Sequence, residues 1–193
     1  MKLKIAYLNN YSDEFINSFL KSIDEDKKQK IMVLKKDEDK KRSIIGQILL
    51  KDLLKDDYKN FHVNKFGKIY INKNNIYFNI SHSNDLVGCV MSNRKIGLDI
   101  EKIKEVDLNI VKRFATASEK EYILEKDSYK RFFEIYTLKE AYFKMLGTNL
   151  DNLKSVEFSI NKNKVTCSDN SIIAKINYSV DEYIISIVEK RNV

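Results

Sequence analysis

Two carboxylates interrupt an apolar run at Ile96-Gly97-Leu98-Asp99-Ile100-Glu101-Lys102-Ile103. The alternation is that of a strand, in which residues i and i+2 share a side of the sheet, so Asp99 and Glu101 project together, opposite Leu98 and Ile100. Like charges at that spacing raise each other's pKa unless a cation stands between them, and a hard divalent ion with oxygen ligands resolves the conflict. A half-exposed strand with an acidic outer face is the competing account.

The segment Phe132-Phe133-Glu134-Ile135-Tyr136-Thr137-Leu138-Lys139-Glu140-Ala141-Tyr142-Phe143-Lys144-Met145-Leu146 bears on that choice. At about 100° per residue, Ile135, Leu138, Tyr142 and Met145 fall on one side of a helix, while Phe133, Tyr136 and Phe143 surround Glu140 on the other. A helix that is apolar nearly all round is buried. Glu140 and Lys144 at i, i+4 would ordinarily be an exposed ion pair, but such a pair belongs on a polar face that this helix scarcely has. Buried charges need partners, so Glu140, Lys139 and Lys144 are expected to line an internal site. Together with Asp99 and Glu101, Glu140 offers oxygen ligands for Mg2+, which keeps waters and commonly bridges substrate phosphates.

The elements that must carry these residues follow from periodicity and turn chemistry. The chain opens with a strand at Leu3–Leu8 and a helix at 12–22, followed by a second helix starting near Asp24 that carries the basic run DKKQKIMVLKKDEDKKR. In RSIIGQILLKDLLKD the residues Ile44, Ile45, Ile48, Leu49 and Leu53 recur at helical spacing. The runs GKIYIN, NIYFNIS and DLVGCVMS read as strands, with NRK as the turn before IGLDIE. The second half repeats this order: IGLDIE, a helix in ASEKEYILEK, the apolar helix, then the strands VEFSI, KVTCS, AKINYS and EYIISIVE. The segments FNISHSNDLVGCVMS and INYSVDEYIISIVEK share the spacing of Asn79 to Ser81 and Asn177 to Ser179. The expectation is an α+β protein of two similar α+β halves, 1–95 and 96–193, related by a pseudo-two-fold without a linker, with the site in the cleft between them.

With 193 residues, 43% of them hydrophobic, the chain can bury a core without staples. Cys89 and Cys167 are far apart in apolar surroundings and read as reduced thiols of a cytoplasmic protein. The opening MKLKIAYLNNYSDEF lacks the apolar stretch of a signal peptide, and nowhere is there an apolar run long enough to span a bilayer, so neither secretion nor membrane insertion is expected. The net charge of +7 would attract nucleic acid, phosphorylated metabolites or an acidic protein. The abundance of Lys, Asn and Ile and the absence of Pro point to coding bias, so local placement of charge matters more than its sum.

Taken together, Gly97-Leu98-Asp99-Ile100-Glu101 and Tyr136-Thr137-Leu138-Lys139-Glu140-Ala141-Tyr142-Phe143-Lys144 resemble the paired signature of the 4′-phosphopantetheinyl transferases: a strand of the G-I/V-D-I/V-E type, then W/F-S/C/T-x-K-E-A/S-x-x-K. Tyr136 stands where that family has Trp or Phe. The first half is similar to the larger, Sfp-type members rather than the short holo-acyl-carrier-protein synthases: Phe78-Asn79-Ile80-Ser81-His82-Ser83 looks like their FNISHS segment, Phe66-Gly67-Lys68 like their G-K-P turn with Ile69 in place of the proline, and Lys41-Arg42-Ser43 like their H-R-T stretch.

The resemblance implies a pseudo-dimeric monomer that binds coenzyme A between its halves and transfers the phosphopantetheine arm to a serine of an apo acyl or peptidyl carrier protein, releasing adenosine 3′,5′-bisphosphate. It implies Mg2+, with Mn2+ as the alternative ion, held by Asp99, Glu101 and Glu140. Residues 1–95 would make the coenzyme A contacts: Lys27, Lys30, Arg42 and His82 at the 3′-phosphate, with Ser43 and Ser81 beside them and the backbone at Gly67 and Lys68 around the adenine. Residues 96–193 would bring the metal site and the catalytic helix, with Lys144 at the phosphates and Lys139 either assisting there or, from its angular position near Phe132 and Leu146, holding a structural role. Glu119 aligns with an acidic residue near the pyrophosphate and is nominated as base. The competing role for Glu119 is in a helix start, where Ser118 would cap and Glu121 would complete a capping box. Lys112 and Arg113, with Phe114 as an exposed apolar neighbour, would meet the carrier's acidic helices. Two rivals, a basic nucleic-acid-binding protein and a metal-dependent nuclease or other phosphoryl-transfer enzyme, leave the lysines beside Glu140 and the FNISHS segment without a purpose, and neither nucleic acid nor membrane is expected as a partner.

Overall fold

In the computed structural model, residues 1–55, 58, 61–63, 69–71, 76–150, 152–162, 164–178, 180 and 182–192 are described. Strand β1 (Lys2–Tyr7) leads into helices α1 (Asp13–Ser22), α2 (Glu25–Met32) and α3 (Asp37–Leu54), a small hairpin β2–β3 (Phe61–Val63, Ile69–Ile71) and strands β4 (Tyr77–Ser83) and β5 (Leu86–Ser92). The same order then recurs as β6 (Ile96–Lys102), α4 (Val111–Phe114), α5 (Ala117–Glu125), α6 (Ser128–Leu146), the hairpin β7–β8 (Phe158–Asn161, Lys164–Cys167), β9 (Ile172–Asn177) and β10 (Tyr183–Lys190). The two larger sheets are ordered β1-β5-β4 and β6-β10-β9, so both the strand positions and the hairpins correspond. All strand pairs are antiparallel.

Each sheet is covered on one face by the long helix of its own half. In the first, Ile44, Ile45, Leu49 and Leu50 of α3 meet Phe78, Val87 and Cys89. In the second, Phe133, Leu138 and Ala141 of α6 meet Phe158, Ile184 and Val188. The remaining sheet faces bury each other through Leu86, Val90, Leu98, Ile100, Ile185 and Ile187. The layers are therefore helix, sheet, sheet, helix, and β6 lies where the halves join.

Local chemistry explains most element boundaries. Ser12 and Asp24 accept hydrogen bonds from the backbone N–H of Phe15 and Lys27, capping α1 and α2. The expected single basic helix beyond Asp24 is in fact two: α2 stops at Met32, and α3 begins at Asp37 with Asp37, Glu38 and Asp39 in its first turn, where the helix dipole favours acids. Helix α6 ends at Gly147, whose φ of 73° lies in the left-handed region and whose N–H closes on the Phe143 carbonyl at 2.9 Å. The strand Phe61–Val63 was not foreseen in the sequence; at three residues it is too short to show an alternation. Both cysteines are free thiols, Cys89 buried and Cys167 half-buried. Among the described residues no helix is long and apolar enough to cross a membrane.

Candidate active site between the two halves

Strand β6 is held on both edges. One edge pairs with β10, Asp99 standing opposite Ser186 and Glu101 opposite Ile184. Gly97 sets how closely α6 crosses its face: a Cβ there would stand 1.9 Å from the Ala141 carbonyl oxygen and 2.6 Å from the Met145 backbone nitrogen. Only glycine permits that approach. It brings Lys144 of α6 onto Asp99, Nζ to Oδ1 at 2.5 Å, and to 3.8 Å from Glu140 Oε2.

A cavity of about 500 Å³ opens at this meeting point. Asp99 and Glu101 of β6 and Glu140 and Lys144 of α6 form one wall; Asp39, Arg42, Ser43 and Gln47 of α3 and residues 78–82 of β4 form the other. The cleft expected between the halves is thus present, and it gathers Arg42, Ser43, Ser81, His82, Asp99, Glu101, Glu140 and Lys144.

The electrostatics are unbalanced on both sides. Asp99 is 2% exposed; its Oδ1 accepts from Lys144 and from Ser81 Oγ at 3.1 Å, while its buried Oδ2 has no hydrogen-bond partner. Burial pushes the Asp99 carboxyl up to about 7, with Glu140 and Glu101 adding to the push and Lys144 opposing it. Burial likewise raises Glu101, reinforced by Glu140, although Ser83 Oγ donates to its Oε2 at 2.8 Å. Opposite, Arg42 is fixed by Asp39 Oδ1 and the Asn84 carbonyl, both at 2.6 Å, and its buried Nε has no acceptor. Desolvation, then the cations Arg42 and Lys144, lower the His82 imidazole from its ordinary pKa.

An unpartnered buried carboxylate oxygen beside two further carboxylates suits a hard divalent cation. Asp99, Glu101 and Glu140 therefore fit Mg2+ by donor chemistry, although among the described residues no three acidic, His or Cys side chains are already drawn into a cage. The ring of Tyr136 stacks on Phe132 at 5.7 Å between centroids and meets Phe114 edge-on at 5.4 Å, and burial, with Glu140 adding to it, raises the pKa of its hydroxyl. The tyrosine ring thus packs as that of Phe or Trp would.

Other nominated residues lie elsewhere. Glu119 is buried away from the cleft: its Oε1 accepts from Phe158 N at 2.9 Å and its Oε2 from Thr116 N and Lys139 Nζ, both at 2.8 Å. With both oxygens engaged and no opening to the cleft, it is geometrically an internal anchor rather than a base. The helix cap is also not the expected one, since Thr116 and Glu119 form the capping box, two residues earlier than Ser118 and Glu121. Lys139 is likewise outside the cleft, 0% exposed, with all three ammonium protons taken by Glu119, the Leu153 carbonyl at 2.8 Å and the Val156 carbonyl at 2.5 Å. Lys27 pairs with Asp24 at 2.6 Å and lies 4.7 Å over the Tyr58 ring, Lys30 is exposed on α2, and neither lines the cavity. Gly67 and Lys68 lie outside the described residues. Phe114, expected at the surface, is buried, whereas Lys112 and Arg113 are exposed.

The sequence reading also missed residues. Asp39 and Asn84, which orient Arg42, carry no signal of their own in a polar helix start and a turn. Asn79 and Ser83 do: they flank Ser81 at strand period, and that alternation turns out to face β6.

Comparison with known proteins agrees with this geometry. Residues 95–188, which contain both the acidic strand and α6, match the family model described as the 4′-phosphopantetheinyl transferase superfamily. The 4′-phosphopantetheinyl transferase gsp of Aneurinibacillus migulanus is 33% identical over 73% of this chain, which spans 63% of that protein's length. The 4′-phosphopantetheinyl transferase Sfp of Bacillus subtilis strain 168 is 30% identical over 78% of this chain and 72% of its own. Among solved structures, the Thermotoga maritima holo-acyl-carrier-protein synthase is 28% identical with a TM-score of 0.44, covering 50% of this chain and 64% of its own. With the acidic strand, the buried helix and the FNISHS segment gathered on one cleft, and with relatives of this kind matching both halves, the chain belongs to the 4′-phosphopantetheinyl transferase superfamily.

Proposed function

We propose that this protein transfers the 4′-phosphopantetheine moiety of coenzyme A to a serine hydroxyl of an apo acyl or peptidyl carrier protein, in a Mg2+-dependent reaction that releases adenosine 3′,5′-bisphosphate, and that it acts as a cytoplasmic monomer. One observation carries this reading: opposite halves line a single cleft with Asp99 and Arg42, and each of these residues keeps one buried polar atom, Oδ2 and Nε, without a hydrogen-bond partner. Each calls for the opposite charge, and a metal-bound pyrophosphate ester with a further phosphate supplies both.

Attack of a neutral serine on a pyrophosphate needs charge neutralisation, alignment and removal of a proton. Asp99, Glu101 and Glu140 would hold Mg2+, which when bound supplies Lewis-acid neutralisation of the phosphates. Lys144, already at the cleft wall beside Asp99, adds a positive charge on the same side. In the first half Arg42 would take the 3′-phosphate, with His82, Ser43 and Ser81 hydrogen-bonding around it. Glu140 would accept the serine proton, since Glu119 is spent on the protein interior. The serine oxygen then bonds to the phosphorus that bears pantetheine as the bond to the bridging oxygen breaks, and that oxygen leaves on the adenosine bisphosphate.

Incubation with coenzyme A, Mg2+ and a panel of apo carriers, read by intact mass, tests this. A gain of one phosphopantetheine unit on a carrier serine is expected; no gain on any carrier, with coenzyme A left intact, would refute the reading. Hydrolysis of nucleic acid or of coenzyme A without transfer would instead favour a general phosphoryl-transfer enzyme.

A further inference from the structure

Strand β6 has a second edge, and among the described residues no backbone strand pairs with it. Its N–H groups at alternate residues donate instead to side chains of β4: Leu98 N to Asn79 Oδ1 at 2.9 Å, Ile100 N to Ser81 Oγ at 3.2 Å and Lys102 N to Ser83 Oγ at 3.2 Å. Residues two apart on β4 thus act as a surrogate strand, in step with the period of β6. The two serines also return a bond to the strand they hold. Ser81 Oγ donates to Asp99 Oδ1 at 3.1 Å, and Ser83 Oγ donates to Glu101 Oε2 at 2.8 Å.

A hydroxyl can accept and donate at once, and that dual capacity is used at both positions. Ser81 is additionally contacted by Lys144 Nζ at 3.2 Å and lines the cleft, so it belongs to the site already described. Ser83 does not line the cleft. It touches the site only through Glu101, whose rotamer it ties to the backbone at Lys102.

We propose that Ser83 is a positioning residue for the acidic strand: by accepting from Lys102 N and donating to Glu101 Oε2 it fixes the free edge of β6 and aims the Glu101 carboxylate into the cleft for a divalent cation. The inference rests on the metal reading given above and extends it to a residue beyond the ligands. Partners that orient a ligating carboxylate typically contribute roughly ten- to a hundredfold in metal affinity. Alanine at 83 would leave Lys102 N without its acceptor and Glu101 free to rotate, whereas threonine keeps the hydroxyl on a side chain suited to a strand.

The test is direct binding of Mn2+ to the whole protein, by paramagnetic resonance of the free ion, with coenzyme A affinity measured separately in the absence of divalent ions and folding followed by thermal melting. Ser83→Ala is expected to weaken Mn2+ binding about tenfold while cation-free coenzyme A binding stays within about twofold, and Ser83→Thr to restore Mn2+ binding. Mn2+ binding to Ser83→Ala at wild-type strength would overturn the proposal. So would equal losses in both variants, or a matching loss of cation-free coenzyme A binding, because either marks Ser83 as a packing residue. Should Ser83→Ala fail to fold, Ser83→Thr decides alone: near-wild-type Mn2+ binding supports the role and a tenfold loss overturns it. Failure of the unaltered protein to bind Mn2+ at all would instead refute the metal reading on which this rests.

Discussion

Asp99 is a buried carboxylate whose burial opposes its charge, and its titration has a defined sign. Its folded-state pKa of about 7 lies above the ordinary 3.8, so the folded protein holds this proton more tightly than the unfolded chain. The stability it contributes is complete below pH 3.8 and is lost as pH rises through 7. Metal-free protein is therefore expected to melt at progressively lower temperature from pH 5 to pH 8, with Mg2+ restoring most at the alkaline end. Asp99→Asn should flatten both trends and abolish transfer to the carrier; a metal-free melting curve unaffected by pH in the unaltered protein would contradict this assignment. The paired carboxylates were legible in the sequence because strand period alone puts Asp99 and Glu101 on one side. Their partners were not, since Ser81, Ser83 and Lys144 reach them from residues 18 and 45 positions away.

At the level of elements, α6 does two jobs on two faces. One face sits on Gly97 and presents Glu140 and Lys144 to the cleft. The other sends Lys139 inward to Glu119 and two carbonyls, tying α5, α6 and the start of β7 together. Burial depresses the Lys139 ammonium pKa and Glu119 opposes that shift. Breaking such a pair leaves a buried charge alone, so Lys139→Ala should lose about 3–5 kcal/mol, measured by urea unfolding, and replacing Lys139 and Glu119 together by Met and Leu should recover much of it. Gly97→Ala would force α6 off the strand at a cost of about 1–3 kcal/mol. It should also reduce turnover in the protein that remains folded, by moving Glu140 and Lys144 away from Asp99. Turnover per folded molecule equal to wild type would show that close helix contact is not what assembles the site.

For the molecule as a whole, the repeated order of elements places one long helix on the outer face of each sheet and the cleft at the seam between them. Under the proposed function, the net charge of +7 and the exposed pair Lys112 and Arg113 would favour encounter with an acidic carrier. The apparent KM for the carrier should rise with ionic strength, and Lys112→Glu with Arg113→Glu should raise it further while leaving the KM for coenzyme A unchanged. A carrier KM indifferent to salt would remove the electrostatic account of docking. Phe114 takes no part in that surface, because it lies under Phe132 and Tyr136 in the core.

Short-range physics is written in the chain itself: strand alternation around Asp99, the all-round apolarity of α6, the caps at Ser12 and Asp24, and the order of elements repeated in each half. Those features depend on neighbours within a few residues, and the motifs that name the family lie within single elements. Tertiary structure alone decided which charges face the cleft and which face the core. Glu119 and Glu140, or Lys139 and Lys144, are alike as residues, but Gly97 lets α6 approach β6 at one rotation about its axis. That rotation turns Glu140 and Lys144 to the cleft and Lys139 into the interior against Glu119, because partners for buried charges are set by packing across distant segments rather than by local periodicity.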